Sequence, residues 1–198
     1  MKQTFVIAWL GLILAGMSYL FWQNELKYTL PTPVPQKYAP VKTGEIVGLK
    51  TGVTRDANRP LFIHFYNPNC PCSKFNIPHV RSLMKKYGDR ISFAVVVLSN
   101  QKFTETEIKD KFGGDVPVYF DKEIANACGV YSTPQAVLLN EDNRLYYRGN
   151  YNKSRYCTDK NSNYAQQALD SFLAHNSKPI FNHFALKAYG CELPDCRK

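Results

Sequence analysis

The sequence predicts an α/β domain with a central mixed β-sheet flanked by helices, preceded by one transmembrane helix. Three observations carry this expectation. Strand-like and helix-like patterns alternate from Leu61 to His175. The run Ala94-Val95-Val96-Val97-Leu98 is apolar throughout, as in a strand covered on both faces. Two short strand patterns, 136–140 and 144–148, flank Glu141-Asp142-Asn143, as in a closing hairpin.

The chain begins with a short tail, residues 1–4. Residues 5–22 follow with no charge, and 18 residues of helix span about 27 Å, close to the hydrocarbon thickness of a bilayer. The run ends in Tyr19-Leu20-Phe21-Trp22, where a cleaved leader needs small residues. An uncleaved anchor with an interfacial aromatic belt is expected. Residues 23–44 contain Pro31, Pro33, Pro35 and Pro40, which favour an extended, semi-rigid spacer. This segment reads as a stalk that lifts the domain, residues 45–198 with a cysteine-containing tail, off the bilayer.

Within the domain, Leu61 to Tyr66 is a strand and Cys72 to Tyr87 a helix stopped by Gly88. Ile91 to Leu98 is the buried strand. Thr104 to Phe112 is a helix opened by a Thr-x-x-Glu capping box and closed by Gly113-Gly114. Val118 to Phe120 is a short strand and Lys122 to Cys128 a short helix. After the hairpin, Asn163 to His175 forms a closing helix.

A hydrophobic share of 44% and 14% aromatics exclude a disordered chain. The net charge of +9 is mostly scattered. Its densest run, Arg81, Lys85, Lys86 and Arg90, reads as a solvated helix face, and no nucleic-acid-binding motif is present. Six cysteines, Cys70, Cys72, Cys128, Cys157, Cys191 and Cys196, fit an oxidising compartment. The domain is therefore expected outside the cytoplasm, in the periplasm or its equivalent.

Cys70-Pro71-Cys72 sits where a strand gives way to a helix. Free N–H groups and the positive end of the helix dipole stabilise a thiolate there, and the thiolate is the nucleophile. Pro71 suits the first helical turn, where its missing N–H costs nothing.

The segment Phe65-Tyr66-Asn67-Pro68-Asn69-Cys70-Pro71-Cys72-Ser73-Lys74, with Pro78 beyond, resembles the active-site segment of the thioredoxin superfamily. In this register Cys70 takes the place of the nucleophilic cysteine and Ser73 that of the second one. Gly129-Val130-Tyr131-Ser132-Thr133-Pro134-Gln135, before an apolar strand, is similar to that family's Gly-Val-x-x-Thr-Pro-Thr loop. The resemblance spans about residues 45–175. Leu145 to Tyr151 also looks like the hairpin of membrane-tethered thioredoxin-like and peroxiredoxin-like proteins. The resemblance implies a thioredoxin-like fold, a cis Pro134 facing Cys70, and a Thr133 backbone that binds a substrate strand. It implies catalysis by Cys70, no organic cofactor, a protein thiol or disulfide substrate and an external redox partner.

With Ser73 in place of the usual resolving cysteine, Cys72 is the expected partner of Cys70. A Cys-x-Cys ring is small and strained, hence readily reduced. Alternatively Cys70 is a monothiol resolved by a distant cysteine. Cys157 can resolve Cys70 or pair with Cys191, while Cys191 and Cys196 can clip the tail or join the relay. Cys128 reads as core packing. His64, His175 and His183 read as structural. Cys72 and His79 stand about 10 Å apart along a helix, too far to share one metal ion, and no metal site is expected.

The leading function is a membrane-anchored thiol–disulfide oxidoreductase. A peroxiredoxin-like peroxidase ranks lower, because Asn67 stands where that family holds a threonine. A copper-binding metallochaperone of thioredoxin fold is the third reading, since soft thiolates suit Cu(I).

Overall fold

The computed structural model describes residues 2–36, 38–49, 52–53, 58–176 and 180–193. Strands β1 (Leu61–Tyr66), β2 (Ser92–Val97), β3 (Val118–Tyr119), β5 (Gln135–Leu139) and β6 (Leu145–Gly149) form one sheet in the order β3-β2-β1-β5-β6. β1 pairs parallel with β2 and antiparallel with β5, so the sheet is mixed and β1 is central. All six β1 residues are buried, because both faces of that strand are covered.

The faces make two cores. Phe62, Tyr66, Val95, Val97 and Leu138 pack against helices α3 (Pro71–Tyr87), α4 (Glu105–Phe112) and α6 (Tyr164–Leu173). Ile63, Phe65, Ala94, Val96 and Val137 pack against α5 (Lys122–Cys128) and Val47. The alternation of β1 between these cores is the period-2 geometry of a strand.

Local chemistry sets the element ends. Thr104 accepts from the Glu107 N–H while the Glu107 carboxylate accepts from the Thr104 N–H, the expected capping box. Gly113 then ends α4 in the left-handed region at φ 71°. Arg81, Lys85, Lys86 and Arg90 are exposed, as a solvated face requires.

The amino-terminal region departs from the expected boundaries. Helix α1 runs Lys2–Phe21, since nothing in Lys2-Gln3-Thr4 opposes helix. It continues through a π-helical turn, Trp22–Leu26, into α2 (Lys27–Thr29). This helix of 28 residues is long and apolar enough to cross a membrane.

The proline-containing segment expected to stand off as a stalk instead lies along the domain. Tyr38 donates its hydroxyl to the Gly129 carbonyl, and Arg148 donates to the Val41 carbonyl at 2.8 Å. Thr32 is buried. A proline-rich segment has carbonyls and side chains free of helix or sheet ladders, and the domain surface supplies partners for them.

After α6 the chain forms α7 (His183–Leu186) and a two-residue strand β7 (Cys191–Glu192), which pairs antiparallel with β4 (Ser132–Thr133). Asn150 clamps this tail by donating its amide to the Phe184 and Lys187 carbonyls. A Cβ at Gly149 would overlap the Ala185 carbonyl, so glycine is what lets the tail approach β6.

Candidate redox site

Cys70 caps the amino end of α3 with Pro71 in the first turn and no acidic residue beside it. The preceding loop is locked by short-range hydrogen bonds of Asn67 and Ser73. Asn67 accepts from the Asn69 N–H through its side chain and from the Cys70 N–H through its carbonyl. The Asn67 N–H in turn donates to Ser73 Oγ. Ser73 thus has a structural task at the position of the family's second cysteine, and Asn67 builds an Asx turn. Helix N–H groups and dipole still point at Cys70.

Thr133 and Pro134 are joined by a cis peptide bond, and the Cys70 sulfur lies 3.8 Å from the Thr133 carbonyl oxygen. Both expected substrate-binding residues therefore lie beside the expected nucleophile. Cys70 is joined by a disulfide to Cys191, with 6.7 Å between their Cα atoms. Cys72 is buried and lies outside this disulfide. The sulfurs of Cys70, Cys72 and Cys191 lie within 4.8 Å of one another. Such a triad, when reduced, has the soft donor set that favours Cu(I).

Cys128 packs in the core of the other sheet face, away from this cluster, whereas Cys157 lies beside Cys72. Cys157, at φ 54°, donates its thiol to Asn76 Oδ1 at 2.9 Å. Burial, with a smaller contribution from Cys72, pushes the Cys157 thiol up to about 12. Burial likewise pushes Cys128 up to about 12. Cys196 lies outside the described residues.

Three further groups frame the site. Arg155 is close enough to Cys72 for their charges to couple, pairs with Glu25 at 2.9 Å and stacks on the Tyr28 ring at 4.4 Å. Thr32 donates its hydroxyl to the Gly190 carbonyl at 2.7 Å. A hydroxyl has one proton, so its 3.1 Å contact with Ser132 Oγ is a bond donated by Ser132. Neither Thr32 nor Glu25 carries a sequence signal of its own. Their partners are 158 and 130 residues away, beyond any local pattern.

His64, on β1, shares a hydrogen bond of 2.8 Å with the Tyr151 hydroxyl. Full burial, reinforced by His79, lowers His64 to about 3 and keeps it neutral. Its structural reading agrees with that geometry. A concavity of about 750 Å³ is lined by Arg81, Lys85, Gly113 and their neighbours and by none of the cysteines.

The family model that matches residues 43–193 describes a domain of unknown function, DUF6436. The chain belongs to that family. No curated protein matches it in sequence. Among solved structures, it is similar to an uncharacterised conserved protein from Geobacillus kaustophilus. That match has 18% identity and a TM-score of 0.56, over 79% of this chain and 88% of that one. It is also similar to a hypothetical protein from Sinorhizobium meliloti 1021, with 19% identity and a TM-score of 0.53 over 70% and 81% of the two chains. A thioredoxin-like protein solved in its oxidised form matches at 16% identity and a TM-score of 0.49, over 73% and 97%. The DUF6436 domain here has the thioredoxin-like fold: a central mixed sheet, a cysteine at the start of the helix after β1, and a cis-proline loop facing it.

Proposed function

We propose that this protein is a thiol–disulfide oxidoreductase acting on protein disulfides, with Cys70 as nucleophile and Cys72 as its redox partner. The observation that carries the reading is the sulfur cluster itself. Cys70 stands at a helix amino terminus, already engaged in a disulfide, with the Cys72 sulfur within 4.8 Å. In the reducing direction the Cys70 thiolate attacks one sulfur of a substrate disulfide. A new S–S bond forms, the old one breaks, and the displaced substrate thiolate takes a proton. The Cys72 thiolate then attacks Cys70 Sγ, frees the second substrate sulfur and leaves an internal disulfide. An external dithiol partner reduces that bond. Thr133 and Pro134 orient the substrate backbone beside Cys70.

The helix Lys2–Thr29 supports a membrane anchor, and an oxidising, extracytoplasmic compartment suits the Cys70–Cys191 bond. The full chain in detergent micelles, given a dithiol reductant, is expected to accelerate reduction of a protein disulfide. Cys70→Ser is expected to abolish the acceleration, and a Cys70→Ser variant as fast as the parent contradicts the reading.

The three clustered sulfurs also favour a second reading, Cu(I) binding by the reduced chain. One Cu(I) bound per chain and lost in the Cys70→Ser/Cys72→Ser double variant would support it.

A further inference from the structure

We infer that the carboxy-terminal strand is a built-in substrate: it fills the groove where a target polypeptide is oxidised or reduced, and it reports that the groove takes an extended segment with glycine just before cysteine. This deepens the oxidoreductase reading and rests on it.

Four observations carry the inference. Cys191, the residue bonded to Cys70, is paired in register with Thr133, and Glu192 with Ser132. A target cysteine bonded to Cys70 would need its backbone in the same place, because the β4 edge is the backbone beside the Cys70 sulfur. The fit before the cysteine is close. A Cβ on Gly190 would overlap the Thr133 carbonyl and press on Ser132 Oγ. The segment is also held from outside, where Thr32 takes the Ala188 carbonyl with its N–H and the Gly190 carbonyl with its hydroxyl. Finally, Cys70, Thr133 and Ser132 are each 0% exposed, so no target reaches Cys70 while the strand is seated.

Release requires no outside oxidant or reductant. The Cys72 thiolate attacks Cys70 Sγ, and the Cys70–Cys72 bond forms as the Cys70–Cys191 bond breaks. The electron pair leaves on Cys191 Sγ, which takes up the proton Cys72 gave. The strand can then leave, and β4 presents its edge to a target.

The test uses the full chain in micelles, reduced, with Cys191→Ser. The probe is a capped Ala-Tyr-Gly-Cys-Glu peptide whose cysteine carries a chromophoric aromatic thiol as a mixed disulfide. A second probe has valine in place of glycine, and the symmetrical disulfide of the aromatic thiol is the small control. Attack by Cys70 on the peptide sulfur releases the chromophore.

The glycine peptide is expected to react at least about tenfold faster than the valine peptide, the effect of a modest steric clash. Equal peptide rates, with a fast reaction of the small disulfide, would overturn the groove assignment and leave the oxidoreductase reading standing. A Cys70 inert toward all three would overturn both. The unsubstituted reduced chain provides a reading independent of that variant's folding. After acid quench, Cys70–peptide adducts should favour the glycine peptide by a similar ratio, and equal adduct yields would again overturn the inference.

Discussion

Acidification should weaken this fold through one buried histidine, by an amount the structure sets. His64 lies among the rings of Tyr66, Phe112 and Tyr151, with centroids 5.7, 5.3 and 5.3 Å away. Burial holds its folded-state value near 3, against 6.5 for a free side chain. The unfolded chain therefore binds a proton that the folded chain refuses. The stabilisation is complete above pH 6.5 and is lost progressively as the pH falls toward 3. At pH about 4.5 the loss amounts to about 3 kcal/mol, from roughly two pH units at about 1.4 kcal/mol each. Urea unfolding of the full chain in micelles, at pH about 7.5 and about 4.5, measures it. The control is His64→Phe/Tyr151→Phe, which removes both hydrogen-bonding partners and leaves neither group orphaned. His79, also lowered by burial, is present in both proteins and cancels in the comparison. The parent should lose about 3 kcal/mol more than the control on acidification. An equal loss in both, or a His64 ring that titrates near 6.5 in the folded chain, would show that His64 is not the buried, neutral group that sets this loss.

Thr32→Val removes the hydroxyl bonds to Gly190 and Ser132. At about 1 kcal/mol each it should speed dithiol reduction of the Cys70–Cys191 bond up to about 30-fold, read by quenched mass spectrometry. Thr104→Ala deletes the α4 capping box and should cost about 1 kcal/mol in urea unfolding, with the reduction potential of Cys70 unchanged. Cys128, buried and with its thiol pushed up to about 12, should resist alkylation in the native chain, and Cys128→Ala should leave the redox titration of Cys70 unaltered.

Most of the fold was legible because its signals are local. Leu61 to Tyr66 and Ala94 to Val97 read as strand by composition alone, and Thr104-x-x-Glu107 with Gly113 brackets a helix by its caps. Cys70, the proposed nucleophile, was legible as a candidate for the same reason, since it stands at a strand-to-helix junction whose chemistry needs no long-range partner. What stayed hidden depends on distant pairings. β7 has two residues, too few for any period to appear, and its partner β4 is about 60 residues away in the chain. The sequence left Cys191 with several possible roles, and only the docking of the tail by Asn150, Gly149 and Thr32 brings it to Cys70. The linker illustrates the same limit. Its prolines indicate an extended backbone, but not the surface that backbone lies on.

The proposed chemistry makes Cys70 a reversible redox thiol that exchanges between Cys191 and Cys72. Equilibrating the full chain in micelles with glutathione buffers of graded potential, then alkylating differentially and mapping peptides by mass, tests it most directly. Cys70 is expected to cycle at an intermediate potential, bonded to Cys191 or Cys72, while Cys128 stays reduced throughout. A Cys70 that remains a thiol in every buffer, or a Cys70–Cys191 bond that no potential in the series reduces, would contradict it.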